Sequence, residues 1–330
     1  GAVLAKDEKG EEIRIPGKLK GVKAIGWFIE EYNIAQVSIN ITQFRETPLH
    51  KVFDECCTSA GERGLRVTGS ELVGLVPLSA MLEAGKYFLH KQQLSSGVSE
   101  KELIHIAVKS MGLDELGPFD PQKRIIEYCL NDSQSNRLAG MTLTGFSEET
   151  ASDSPAPGGG SIAAYVGALG VSLGTMVANL SASKKGWEER WLEFSEWAEK
   201  GQQLRKELIA MVDEDTRSFN KIMEAFQLPK DTPEEVTFRK NAIQQATRYA
   251  IEVPFKVMEL SLKAMEITKA MAEKGNPNSA SDAGVGALCA RTAVSGAYMN
   301  VKINCGSYTD KSFTEDVIRR GAAIEEQALR

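Results

Sequence analysis

Apolar residues alternate with polar ones or include β-branched residues along Gly26–Glu31 and Ala35–Thr42, which predicts two strands joined by a turn at Tyr32-Asn33. The spacing then changes. Thr47-Pro48 opens a helical pattern that runs to Arg63 and closes at Gly64. Leu65–Val76 returns to strand-like text, broken by Gly69-Ser70, and helix spacing resumes at Leu78–Gln92 and Ser99–Met111. The order strand–strand–helix–strand is most of a ferredoxin-like βαββαβ unit. Its first strand and much of its first helix are then expected before Gly1. The polar, aperiodic stretch Asn131–Arg137 reads as a linker. This divides the chain into residues 1–130, a linker at 131–138 and a second domain at 139–330.

Everything after Ala139 has helix period, most clearly at Gly201–Phe226, Pro233–Gly275 and Ala283–Asn304. Thr232-Pro233-Glu234-Glu235 is a start signal, with a threonine cap and a proline at the first helical position. Pro254 is expected to kink or divide its helix. Ile162–Leu180 is nearly uncharged and almost long enough to span a bilayer. Its Ala164, Gly167, Ala168, Val171 and Gly174 suit close helix packing instead, so a buried helix and no membrane partner are expected. The pattern gives an α+β first domain followed by a helical one, with no internal repeat.

Composition adds bounds. In 330 residues, 42% hydrophobic and 25% charged, there is material for a globular core. A net charge of −6 gives no basic footprint for nucleic acid, and any anion must be met by a local patch. Five cysteines without ligand spacing, two of them adjacent as Cys56-Cys57, fit a reducing cytoplasm better than a disulfide framework. His50, His90 and His105 all precede the linker. Acid–base chemistry after Ala139 is therefore expected to use carboxylates, lysines, cysteines or tyrosines, and no histidine-containing metal site is expected there without a partner chain.

Four features carry candidate chemistry. Pro157-Gly158-Gly159-Gly160-Ser161 precedes the small-residue helix. It is either an anion site of bare N–H groups at a helix start or a turn that lets a crowded helix begin. Asp215 stands alone as a carboxyl in the stripe Leu204, Leu208, Val212, Asp215, Phe219, Ile222, Phe226. It is either a general acid with a raised pKa or a structural carboxylate paired with a lysine or arginine; Asp213 points to another face. In Gly275–Asp282, Asn276, Ser281 and Asp282 cap the next helix or read a heterocycle, and Asn300 and Asn304 share a face of that helix. Lys184-Lys185 is a solvated pair or the contact for an anionic tail.

Taken together, Ala156–Ser161, Val212–Asp215 with Phe219, Leu228-Pro229-Lys230 and Gly275-Asn276 with Ser281-Asp282 resemble the cyclodeaminase/cyclohydrolase family from about Gly140 onward. Gly21–Trp27, Ala35–Ser38, Gly69–Pro77 and Arg124–Tyr128 resemble the C-terminal subdomain of glutamate formiminotransferase. This tandem order is similar to that of the bifunctional formiminotransferase-cyclodeaminases of histidine degradation.

The resemblance implies a partial transferase subdomain fused to an all-α, dimerising cyclodeaminase bundle. It implies conversion of 5-formiminotetrahydrofolate to 5,10-methenyltetrahydrofolate and ammonia, with tetrahydrofolate as substrate carrier and no metal. Asp215 matches the family's catalytic aspartate, and Gly158, Gly159, Gly160, Ser161, Lys184, Lys185, Asn276, Ser281, Asp282, Asn300 and Asn304 are the binding candidates. Polyglutamylated folates and a homo-oligomer built on dimers are the expected partners. Nothing in the sequence matches the transferase subdomain that carries the family's catalytic histidine, so no efficient formimino transfer is expected of this chain. Methenyltetrahydrofolate cyclohydrolase and a non-enzymatic folate-binding or assembly module are the alternatives.

Overall fold

A computed structural model describes residues 5–12, 17–31, 33–130 and 137–330. Tyr32 of the expected turn and residues 131–136 of the expected linker lie outside the described residues. The chain divides into two compact units, one of Gly1–Phe88 with Glu100–Leu130, the other of Leu89–Ser99 with Asn131–Arg330.

In the first unit β1 (Val22–Ile29) and β2 (Ile34–Ile41) form an antiparallel pair, in register from Val22 opposite Ile41 to Ile29 opposite Ile34. Asn33, with φ 53°, makes the reversal. Helices α1 (Leu49–Gly61), α2 (Leu78–Lys91), α3 (Glu100–Met111), α4 (Pro121–Arg124) and α5 (Ile126–Leu130) follow. Met81, Ala84, Ala107 and Ile125 make the centre of this unit's core. The strand expected at 65–76 is not formed; Val76 alone makes a parallel bridge, to Ile125. The cause lies in Gly69-Ser70. The Ser70 N–H donates to the Gly112 carbonyl at 3.0 Å and its hydroxyl to the Met111 carbonyl at 2.6 Å, so the end of α3 takes the bonds a ladder would need.

The second unit is helical: α6 (Leu143–Thr150), α7 (Gly159–Ala182), α8 (Trp191–Gln227), α9 (Pro233–Lys274), α10 (Ala280–Cys305) and α11 (Lys311–Leu329). α7 is at its centre, packed on α8, α9 and α10. Its small residues permit this. A Cβ at Gly167 would lie 2.7 Å from Ser261 Oγ, and one at Gly170 2.7 Å from the Gly286 carbonyl. Across the α8 contact, a Cβ at Gly201 would lie 2.0 Å from Thr175 Oγ1. By length and composition α7 passes for a membrane span, yet 61% of its most apolar window is buried inside the protein. Helix packing accounts for that composition without a bilayer.

α9 begins with the expected threonine cap at Thr232, which the Glu235 side chain completes as a capping box. Pro254 does not divide it: α9 runs unbroken through the proline. A proline leaves the carbonyl four residues earlier without its helical donor. Here that carbonyl belongs to Ala250, and it accepts from Asn304 Nδ2 of α10 at 2.7 Å. α8 starts well before Gly201, because Trp191–Lys200 continue the helix around the buried Phe194 and Ala198.

Leu89–Ser99 is a strap on this bundle. The buried Ser96 accepts no water-facing role: its N–H donates to Ser195 Oγ at 3.0 Å, and its hydroxyl meets Glu199 of α8 and His90 Nε2. The Gly97 carbonyl accepts from Asn179 at 2.9 Å and Gln202 at 3.1 Å. His90 thus enters the helical unit through chain that precedes the linker. A Cβ at Gly97 would lie 2.1 Å from the Ala198 Cβ, which is buried in the core. Gly97→Ala should therefore cost about 1–3 kcal/mol or more by overpacking. Thermal unfolding checks this: the expected result is a midpoint lowered by about 2–4 °C per kcal/mol, and an unchanged midpoint would mean the strap is not held there.

Candidate active site

The stripe that carries Asp215 is buried only in part. Leu208 and Val212 are fully inside, whereas Phe219 and Phe226 are exposed at 40% and 50%. Asp215 thus sits where α8 leaves the core, half-buried, rather than within a continuous core face. That position suits chemistry: the carboxyl is partly dehydrated yet reachable.

Every one of the four successive residues of this turn is held by a hydrogen bond. The Val212 carbonyl accepts from Ser161 Oγ at 2.8 Å. Asp213 accepts backbone N–H bonds from Leu138 and Ala139. Glu214 accepts from the Tyr249 hydroxyl of α9 and from Arg217. Asp215 accepts from the Ser161 hydroxyl at 3.2 Å and from the Ser161 backbone N–H. Burial pushes the Asp215 carboxyl above the usual carboxylate value, and the Ser161 bonds pull partly back. No lysine or arginine ion pair to Asp215 occurs among the described residues.

The glycine loop explains how the carboxyl comes so close. A Cβ on Gly160 would lie 2.1 Å from Asp215 Oδ1, inside any permitted contact. Gly158 is the N-cap of α7 and offers no side chain to it. Gly159 faces Asn300, whose Nδ2 would lie 3.5 Å from a Cβ built there. Gly158–Ser161, Asp215 and Asn300 are therefore brought together. Gly160 leaves room for the Asp215 carboxyl, and the Ser161 hydroxyl and N–H bond it.

The other candidates are not at this site within one chain. Asn304 is committed to the Ala250 carbonyl orphaned by Pro254. Asn276 lies at the far end of α7, its N–H donating to Ser181 Oγ at 2.8 Å. Its side chain caps the turn at Asn278. Ser281 and Asp282 occupy the first turn of α10, with Asn300 near its other end; at 1.5 Å per residue that is about 29 Å. Lys184 stands over the Trp187 ring at 4.0 Å, and Lys185 is exposed beside it. Both follow α7, whose 24 residues put them about 36 Å from the Gly158 end. Straight helices impose this separation, which residue spacing along a sequence does not reveal. Sequence reasoning also missed Tyr249 and the Leu138–Ala139 backbone. A lone tyrosine on a long helix gives no signal, and backbone donors have no sequence signature.

Among the described residues no group of three or more His, Cys, Asp or Glu side chains is arranged to hold a metal. The arrangement is that of a single carboxyl held at one orientation, with burial pushing its pKa above the usual carboxylate value. Its raised pKa also bears on stability. A group whose folded pKa is raised contributes stability that is present below its unfolded pKa and lost as pH rises through its folded one. Asp215→Asn should thus gain in unfolding midpoint relative to the parent as pH rises upward from about 4, the ordinary carboxylate value. A difference that stays constant across that range would contradict a raised Asp215.

Comparison with known proteins bears on the same region. Residues 142–322 match the formiminotransferase-cyclodeaminase family, and residues 3–131 match the formiminotransferase domain. Formimidoyltransferase-cyclodeaminase of Gallus gallus is 41% identical over 322 residues, covering 97% of this chain and 59% of the relative. The chain thus spans about three-fifths of such curated relatives. Methenyltetrahydrofolate cyclohydrolase of Methylorubrum extorquens is 36% identical over 190 residues, 57% of this chain and 91% of that protein. A crystal structure of formiminotetrahydrofolate cyclodeaminase from Thermotoga maritima, 28% identical, superposes with a TM-score of 0.50 over 57% of this chain and 92% of that one. The α+β unit followed by a helical unit, the held carboxyl and these matches agree: the chain belongs to the formiminotransferase-cyclodeaminase family.

Proposed function

We propose that the helical unit closes 5-formiminotetrahydrofolate to 5,10-methenyltetrahydrofolate with loss of ammonia, and that Asp215 is its acid–base group. The observation that carries this is the half-buried Asp215 carboxyl, held by Ser161 and shifted upward by burial. In the reaction the folate's anilino nitrogen bonds to the formimino carbon and sheds its proton. The departing nitrogen must gain one before its bond to that carbon breaks. A carboxyl that gives its proton to the leaving nitrogen and regains one from the attacking nitrogen does both without net change. A raised pKa keeps the donating form populated closer to neutrality. Likeness to a protein named for cyclodeaminase activity over 92% of its length supports this reading.

The second reading, methenyltetrahydrofolate cyclohydrolase, is favoured by the match to an enzyme of that name over 91% of its length. The same carboxyl would there manage the protons of water addition. Assays of ammonia release and of methenyl hydrolysis on the same preparation separate the two. Asp215→Asn should lower ammonia release by roughly two to four orders of magnitude in a folded protein. Near-parental release would remove Asp215 from the chemistry.

In the same reading the enzyme works in the cytoplasm, on folates with several glutamates, as a homo-oligomer built on dimers. The longer proteins of this family add glutamate formimidoyl transfer. Two apolar stripes support the dimer: Val285, Leu288, Met299 and Ile303 on α10 are 51–74% exposed, and Leu169, Met176 and Leu180 on α7 are 38–44% exposed. Two copies meeting antiparallel through these stripes would bring Lys184, Lys185, Asn276, Ser281 and Asp282 of one to the Asp215 end of the other. The acidic glutamate tail would then meet the two lysines. Lys184→Ala/Lys185→Ala should weaken a polyglutamylated substrate more than a monoglutamate, with maximum turnover little changed. The gap should shrink as salt screens it. An identical loss for both substrates would leave the lysines without a tail-binding role.

A further inference from the structure

Asp213 is the most buried carboxyl in the second unit's site region, at 6% exposure, and it points away from Asp215. Both its oxygens are spent on one short stretch of backbone. Oδ1 accepts the Leu138 N–H at 2.8 Å, and Oδ2 accepts the Ala139 N–H at 3.1 Å. Leu138 is itself buried in the bundle's core cluster. A buried carboxylate is costly unless its lone pairs are met by donors. Here the donors are two neighbouring peptide groups in charge-assisted bonds, and no ion pair to Asp213 occurs among the described residues. Such a group holds two pieces of backbone at a fixed separation.

The piece it holds on its own side is the turn that carries the chemistry. Val212, immediately before it, has its carbonyl bound by Ser161 Oγ, and Asp215, two residues on, has its carboxyl bound by the same hydroxyl. One hydroxyl therefore spans two points of this turn, and its geometry holds only while the turn does not rotate or slide. Ser161 fixes the turn from α7, and Tyr249 fixes it through Glu214 from α9. The side that remains is the one Asp213 takes.

We propose that Asp213 is a positioning residue for Asp215: by clasping the Leu138 and Ala139 backbone it sets the rotation of the Val212–Asp215 turn and so the aim of the acid–base carboxyl. This rests on the reading of Asp215 as the proton-transferring group. It goes further in giving the chain at 138–139 a part in catalysis, since a shift there moves the carboxyl. The loss is read in the chemical step, because small misplacements of a reacting group cost rate rather than binding.

The test uses the whole chain and three variants measured together for ammonia release across pH: Asp213→Asn, Ala139→Pro and Asp215→Asn. Asp213→Asn keeps the volume and one acceptor but turns an NH2 group toward a backbone N–H. Ala139→Pro removes one donor and leaves both carboxyls untouched, so it decides the matter if Asp213→Asn does not fold. Folding is checked by helical circular dichroism and thermal unfolding. The expected result is kcat lowered roughly 10- to 100-fold with KM nearly unchanged, and a displaced alkaline limb of the pH profile. A purely structural role would lower the amount of active enzyme and leave the limb where it was. Parental kcat, or an undisplaced limb, in a folded variant overturns the proposal. If Asp215→Asn retains turnover, the reading of Asp215 fails and the proposal falls with it. If Asp215→Asn is inactive while the other two behave like the parent, only the proposal falls.

Discussion

Everything at the candidate site depends on how closely α7 approaches its neighbours. A carboxyl on α8 meets the first turn of α7 at a point where a single Cβ would collide with it, and Gly160 supplies the missing atom's space. The same economy recurs along the helix, at Gly167 against α9, Gly170 against α10 and Thr175 against Gly201 of α8. Side chains of ordinary size on α7 would hold these helices 8–10 Å apart in the usual way, and Ser161 would no longer reach both Val212 and Asp215. The small-residue composition that gives α7 the look of a membrane span is thus what lets the Asp215 carboxyl approach it.

Polar bonds then fix what close packing permits. The turn Val212–Asp215 is tied by Ser161, by Leu138 and Ala139, and by Tyr249, each from a different direction. Burial alone would raise the pKa of Asp215 and leave its orientation loose. The Ser161 bonds cost some of that rise and give orientation in return. A second example of such closure is Asn304, which satisfies the carbonyl that Pro254 leaves without a donor. It allows a long helix to carry a proline through the core without breaking.

Much of this was legible in the sequence, for identifiable reasons. The threonine cap at Thr232, the small-residue helix, the strands at β1 and β2, and the isolated carboxyl at position 215 all follow from local chemistry or periodicity. The family resemblance followed from motifs in order, and the comparisons agree with it. What was not legible depends on long-range geometry. The strand expected at 65–76 lost its ladder to the end of α3. The strap at Leu89–Ser99 belongs to the helical unit although it precedes the linker in the chain. The binding candidates split between the two ends of long helices, because residues adjacent in a motif catalogue need not be adjacent along 24 residues of α7. Asn304 and Ser161 read as ligand contacts from their types, yet their hydrogen bonds go to the protein.

In the proposed reaction the Asp215 carboxyl, its pKa raised by burial, gives its proton to the leaving nitrogen. Site-specific carbon-13 NMR titration of the Asp215 carboxyl in the free protein tests it most directly, alongside the pH dependence of ammonia release. The expected result is a midpoint above the usual carboxylate value, coincident with the alkaline limb of kcat/KM. A midpoint at or below the usual value, or a rate profile indifferent to it, would remove Asp215 from that role.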